Sequence, residues 1–420
     1  MLISFSLGNF LSFKDKVTFS MVATSRKEHE DQNVFKVNKK LKLLKSAVIY
    51  GANASGKSNL LKAMTFVRNF ILTSSKETLS GQKINVQNFK LDTSCANRPS
   101  FFEVNFVCED ICYRYGFEAD RDRVHKEWLY FVPNIKELLL FERNGEKYEI
   151  GPKFLKEAKG LTEKTRNNAL FLSVVAQFNG EISKKICGWF YRFRTLFGKE
   201  TDTIVMDFTL NKLEEDGYKE EILKFLKIAD LGIEDISGKR VEVDTNSIPQ
   251  DLRDMILKSN EHLLRREIRT THSKYDSNSG EKIPELFNLE TEESEGTIKL
   301  FSISGPIIHT IKSGDVLLFD EFVSNLHPML AISIIKMFNS VAGNPNNAQL
   351  IFDSHDTILL DRSILRRDQI WFIEKDEKGT SNLFSLVEYK VRNTASFAKD
   401  YMLGKYGATP FIKEYNCLEE

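Results

Sequence analysis

Gly51, Gly56, Lys57 and Ser58 stand in the spacing G-x-x-x-x-G-K-S, inside the run GANASGKSN at 51–59. Two glycines let the backbone curl so that successive N–H groups face phosphate oxygens. Lys57 supplies a point charge for β- and γ-phosphates, and the Ser58 hydroxyl is a ligand for Mg²⁺. The residues expected to hold a nucleotide here are Gly51, Asn53, Ser55, Gly56, Lys57, Ser58 and Asn59. An apolar run, SAVIY at 46–50, precedes the loop, while Leu60, Met64, Val67 and Ile71 follow at helical spacing. The loop therefore joins a buried strand to a helix whose positive end faces the phosphates.

Three further constellations belong with it. Asp320-Glu321 follows the apolar run VLLF. A carboxylate at a strand's carboxyl end can hold Mg²⁺, and a second beside it can polarise the water that attacks a γ-phosphate. Asp320 is thus a metal candidate together with Ser58, and Glu321 a candidate general base. His355, just after the run QLIFD, falls at the same edge of a parallel sheet and is a candidate γ-phosphate contact. Ser294 and Gly296 open a helical run, IKLFSI, and make an anion-binding end able to meet the γ-phosphate of a second nucleotide.

The elements that must position these residues read as α/β. DVLLFD (315–320), QLIFD (349–353) and QIWFIE (369–374) are strands of buried type separated by apolar helical segments, which indicates a mainly parallel sheet between helices. Period-two alternation in FFEVNFV, CYRYGFEA and EWLYFV predicts an antiparallel meander over 101–149. Residues 150–260 read mostly as helices: NNALFLSVVAQF, ISKKICGWFYRFRTLF, KEEILKFLKIA and PQDLRDMILKSNEHLL. A hairpin follows, with strands near 266–275 and 285–291. The expected division is a split head at 1–100 and 291–420, the meander between its halves, and an inserted, mostly helical subdomain at 150–290.

Composition narrows the class. The 420 residues carry 59 basic and 59 acidic side chains, and 41% are hydrophobic, as in an ordinary globular protein. Zero net charge argues against a surface that is all polyanion-binding shell, though not against a local basic patch. The basic stretch Arg265, Arg266, Arg269, His272 and Lys274 could touch nucleic acid. It lacks aromatic interleaving, however, and reads better as the solvated end of a helix running into a strand. Five cysteines without framework spacing point to a reducing compartment, and Cys108 and Cys112 read as thiols flanking a tight turn. No leader pattern opens residues 1–13 and no run of 18 apolar residues occurs, so a cytoplasmic protein without membrane attachment is expected.

The order phosphate loop, Ser-x-Gly helix, Asp-Glu, His resembles ABC-type ATPases of the SMC, RecF and OLD branch, as does the N-terminal LGNFLSF. A wider likeness is to the RloA-like ATPases of abortive infection and phage defence. It rests on YRYGF (113–117), EWLY (127–130), ESEGTIKL (293–300), Gly305-Pro306-Ile307, Leu326-His327-Pro328, RRDQIWF (366–372) and LGKYG (403–407). The resemblance implies a homodimer, or higher even oligomer, with ATP and Mg²⁺ shared between subunits. In it, the 51–58 loop of one copy would face Ser294 and Gly296 of the other. Asp320 would take the metal, Glu321 the general base and His355 the γ-phosphate contact. One departure stands out: after Asp-Glu the family reads Leu-Asp-x-Ser-Leu-His-Pro, whereas Val323 and Asn325 replace the acidic and hydroxyl residues here. That loop crosses the family's dimer interface, so a slow turnover would be no surprise. No linker-loop Gln can be assigned.

The function expected from this resemblance is an ATPase acting as a nucleotide-driven switch in antiviral defence, controlling a separate effector such as a nuclease or toxin. The alternative is a RecF-like repair or chromosome-maintenance ATPase that binds DNA when loaded with ATP. A GTPase is disfavoured, because Asn38-Lys39-Lys40 is followed by Leu41 and completes no guanine motif. A small-molecule P-loop kinase would leave the Ser-x-Gly helix and His355 without roles.

Overall fold

Strands without a polar break end up in the middle of a parallel sheet, where helices cover both faces. This is what SAVIY, VLLF and QLIFD do. In the computed structural model, residues 1–76, 79, 81–133, 136–197, 202–242, 264–322, 326–390 and 395–409 are described. They divide into two compact units.

The first unit comprises 1–197, 310–323 and 334–420. Its six-stranded sheet contains β5 (Ser46–Tyr50), β11 (Phe193–Leu196), β15 (Val316–Phe319), β16 (Gln349–Asp353), β17 (Ile370–Lys375) and β18 (Ser381–Ser385), in the order β11-β15-β16-β5-β17-β18. All pairs are parallel except β17 with β18. Every residue of β5, β15 and β16 is buried. The short strand β11 follows directly on a helix, Glu181–Tyr191, where the sequence pattern had read one continuous helical run. As an edge strand it has a single neighbour, β15, and its burial pattern is too mixed to announce it.

A seven-stranded antiparallel sheet lies in the same unit: β1 (Leu2–Gly8), β2 (Val17–Ser20), β6 (Ser100–Cys108), β7 (Ile111–Ala119), β8 (Val124–Val132), β9 (Leu138–Asn144) and β10 (Lys147–Ile150), ordered β10-β9-β8-β7-β6-β1-β2. Here β6 alternates buried and half-buried residues, as a sheet with two unlike faces should. Glu109 and Asp110 take left-handed φ values of 49° and 62° at the β6–β7 turn, the conformation a two-residue hairpin needs, and Cys108 and Cys112 flank them. A small pair, β3 (Val34–Lys36) with β4 (Lys42–Leu44), completes the strands of this unit.

Helix α1 (Lys57–Thr73) buries Leu60, Met64, Val67 and Ile71, the four positions read from the sequence. Its aromatic face meets the antiparallel sheet: Phe66 lies 5.2 Å from Phe102, and Phe70 lies 5.5 Å from Phe117, centroid to centroid. The helix that follows from the phosphate loop is thereby pinned along its length. Helices α2 (Phe171–Gln177) and α3 (Glu181–Tyr191), which the sequence pattern had grouped with the inserted segment, lie in this unit.

The second unit comprises 198–309 and 324–333. It holds α4 (Asp202–Leu213), α5 (Tyr218–Lys227), residues 295–309 of α6 (Glu295–Ser313), and a three-stranded antiparallel sheet. β13 (Leu264–Tyr275) and β14 (Lys282–Asn288) are the expected hairpin, and β12 (Ile233–Glu242) is a third strand that the sequence pattern did not show. The helix read over PQDLRDMILKSNEHLL (249–264) lies outside the described residues but for Leu264, which opens β13. Pro306 sits inside α6 and cannot donate to the Ser302 carbonyl; the Thr209 hydroxyl of α4 takes over that bond at 2.5 Å. Gly305 allows this approach, because a Cβ there would fall 2.5 Å from Thr209 Oγ1.

Candidate functional site

Parallel strands in register deliver their following residues to one edge. Phe319 of β15 pairs with Phe352 of β16, and Asp353 of β16 pairs with Ile49 of β5. The loops after these three strands carry Asp320-Glu321, Ser354-His355 and the phosphate loop. All lie in the first unit, at the edge where ligands collect in open α/β sheets.

The phosphate loop is braced from behind. Ser381 of β18 donates to the Ser55 carbonyl, and its Oγ lies 2.8 Å from Ser12 Oγ, while Asn59 Nδ2 donates to the same Ser12 Oγ at 2.9 Å. Gly56 has a φ of 118°, and a Cβ on it would fall 2.4 Å from Ser381 Oγ; a Cβ on Gly51 would fall 2.4 Å from the Ile373 carbonyl. Neither position accepts a side chain. Ser12 and Ser381 were not among the residues singled out by the sequence, since nothing local links positions so far apart.

Lys57 is buried and folds back on its own loop, donating to the Gly51 carbonyl at 2.9 Å and the Ala52 carbonyl at 3.2 Å. Burial lowers its pKa, and the charges of Asp353, Asp320 and Glu321 oppose that shift. Burial holds the Asp320 carboxyl above its ordinary value; the Ser58 hydroxyl bonds to it and works the other way, and the Glu321 charge adds to the rise. Its Oδ1 is buried without a hydrogen-bond partner among the described residues. His355 is exposed as a residue, yet partial burial of its ring and then the Lys57 charge lower its pKa, favouring the neutral imidazole.

Asp353 is the residue that sequence reasoning missed. It is 1% exposed, and its Oδ1 accepts the Glu321 N–H at 2.6 Å. Burial first, and then the Asp320 charge, push its carboxyl up to about 7. Glu321 itself has a φ of 55°, the left-handed region that disfavours residues with a Cβ by roughly 1–2 kcal/mol. The four groups Lys57, Asp320, Glu321 and Asp353 thus share one electrostatic neighbourhood. Phe322 anchors the turn beyond them, packing 4.8 Å from Phe352 and 5.1 Å from Phe319. Val323 and Asn325, the positions that depart from the family pattern, lie outside the described residues.

The donor set fits a nucleotide with magnesium: a glycine cradle closed to side chains, a buried lysine, the Ser58 hydroxyl, and a carboxylate oxygen still unpartnered. The chain matches, over residues 46–361, the family described as "AAA domain, putative AbiEii toxin, Type IV TA system". It belongs to that family. Membership makes it an AAA-type P-loop ATPase by descent. Among solved structures it is similar to the SMC head domain from Thermotoga maritima, at 14% identity and a TM-score of 0.42, over 91% of this chain and 98% of that one. No curated protein matches it.

The second unit holds the remaining candidates. Ser294 caps α6: its Oγ accepts the Thr297 N–H at 3.2 Å and lies 2.9 Å from Thr297 Oγ1. The neighbouring Glu293 is held by β13, through Thr270 Oγ1 at 2.5 Å and His272 Nε2 at 2.7 Å. The basic stretch is largely neutralised. Arg266 pairs with Asp207 and Glu290, Arg269 with Glu267, and Lys274 with Glu285. Among the described residues, no helix is long and apolar enough to cross a membrane.

Proposed function

We propose that this AAA-family chain binds and hydrolyses ATP, and that two copies use it as a switch that controls a separate effector in antiviral defence. The observation that carries the catalytic part is Lys57 beside Asp320, Glu321 and His355 at one sheet edge. The loop N–H groups and Lys57 hold the phosphates, with Lys57 exchanging the Gly51 and Ala52 carbonyls for phosphate oxygens. Ser58 and Asp320 hold magnesium, which when bound neutralises charge on the phosphates. Glu321 takes the proton of the attacking water, and a neutral His355 hydrogen-bonds at the γ-phosphate. Ser294 and Gly296 serve the nucleotide of the partner copy, as the order of motifs suggests.

The defence role has a different basis. It rests on the family's own description, which names a toxin of a TA system, and on the RloA-like motifs. The ion-paired basic stretch favours a protein partner over a DNA clamp. The decisive experiment measures ATP binding, phosphate release and sedimentation with and without ATP for the wild type and Glu321→Gln. The reading requires ATP-dependent dimers that persist in Glu321→Gln, with phosphate release lost. Wild-type release by Glu321→Gln would remove Glu321 from its role. An ATP-dependent association with DNA that falls steeply with salt would replace the effector reading by the clamp.

A further inference from the structure

We propose that Asp353 is a positioning residue for Glu321, fixing the backbone from which the general base reaches its water. The inference rests on the reading of Glu321 given above. Its observations are geometric. Asp353 closes β16, Glu321 stands two residues beyond β15, and the two strands pair in parallel register. The Glu321 N–H meets Asp353 Oδ1 at 2.6 Å, a short bond to an acceptor buried from solvent.

Glu321 needs such an anchor. Its φ of 55° is disfavoured for any residue with a Cβ, its own side chain is exposed, and the strand pairing of β15 stops at Phe319. The Asp320 N–H still finds a partner in the Leu196 carbonyl at 2.9 Å, which leaves Asp353 to hold the next peptide. A plain backbone acceptor does not explain the residue type, because a second buried carboxylate beside Asp320 is costly. A carboxylate that fixes the direction of the Glu321 side chain does explain it: a small misplacement of a reacting group is expensive in rate.

The test uses the full chain. Asp353→Leu removes the acceptor while keeping the branching at Cγ, and Asp353→Asn keeps an acceptor of the same shape. Amide hydrogen exchange at Glu321, measured without nucleotide, is expected to quicken about tenfold in Asp353→Leu and to stay near wild type in Asp353→Asn. With ATP, kcat is expected to fall about 10- to 100-fold in Asp353→Leu while the Kd for ATP changes by less than about threefold. Asp353→Asn should retain kcat within about threefold. In a Glu321→Gln background, Asp353→Leu should cause no further loss, since it acts through Glu321.

Unchanged exchange and kcat in Asp353→Leu would overturn the proposal and leave the Glu321 reading standing. So would an equal loss in the Glu321→Gln background, or an Asp353→Asn as impaired as Asp353→Leu. Wild-type turnover by Glu321→Gln itself would sink the general-base reading instead, with the exchange arm still judging the contact. If Asp353→Leu fails to fold, Asp353→Ser, whose hydroxyl is too short for the contact, carries the same expectations.

Discussion

The two larger sheets of the first unit bury carboxylates, and they supply them with partners to different degrees. In the antiparallel sheet Glu127 is fully buried, yet it accepts from the Phe171 N–H at 2.6 Å, the Leu172 N–H at 3.0 Å and Tyr115 OH at 3.0 Å. Arg143 faces it at 3.8 Å and spends its other donors on the carbonyls of Gly145 and Ala169. At the carboxyl edge of the parallel sheet, Asp320 keeps a buried oxygen without a hydrogen-bond partner among the described residues, and burial and then the Asp320 charge raise the Asp353 pKa. A buried charge with all its partners holds a fold together; one left short of partners marks a candidate site.

Lys57→Ala probes the second kind at its strongest. It should weaken ATP binding about 100-fold, the loss of ~3 kcal/mol expected for a charge-assisted contact, while leaving the fold intact. Isothermal titration of the folded variant reads this directly, and unchanged affinity would take Lys57 out of the site. Glu321→Gln comes next. Phosphate release should fall about 100-fold or more with ATP affinity preserved, the signature of a lost general base.

Glu127→Ala probes the first kind. Arg143 would be left buried without its counter-charge, costing about 3–5 kcal/mol of stability. ATP affinity in the folded fraction should stay within about twofold, since Glu127 bonds to Tyr115, Phe171 and Leu172, away from the phosphate loop in sequence. Denaturant unfolding with and without ATP separates these outcomes. A variant with normal stability but lost ATP binding would erase the distinction between the two sheets.

The same distinction explains what could be read from the sequence. The strands SAVIY, VLLF and QLIFD and the helix carrying Leu60, Met64, Val67 and Ile71 are legible because burial writes itself as apolar runs or as a 3.6-residue period. The phosphate loop is legible because phosphate chemistry fixes its spacing. β12 was not: IEDISGKRVE carries no clean alternation, and only its pairing with β13 makes it a strand. Asp353 was hidden differently. At the end of an apolar strand it looks like an ordinary terminus, and its partner is a backbone N–H 32 residues away, which no local pattern encodes. The Ser12–Ser381 brace behind the loop is hidden for the same reason.

The smallest expected effect tests the unsatisfied side by pH. Asp353 titrates near 7 in the folded chain and near its ordinary 3.8 when unfolded. Between those values the native state keeps a proton that the unfolded state has released, so stability falls as pH rises through that window. Asp353→Asn mimics the protonated form at every pH. It should match the wild type below about pH 4 and exceed it increasingly up to about pH 8, by on the order of 2–4 kcal/mol at most. His355, whose folded pKa is lowered, contributes the opposite slope below its ordinary value of 6.5, but it does so in both proteins and drops out of the difference. Thermal midpoints measured without nucleotide across that range should therefore diverge by a few degrees in favour of Asp353→Asn. Parallel curves would mean that the Asp353 carboxyl ionises in the fold at no extra cost, and that its partners offset in full the burial beside Asp320.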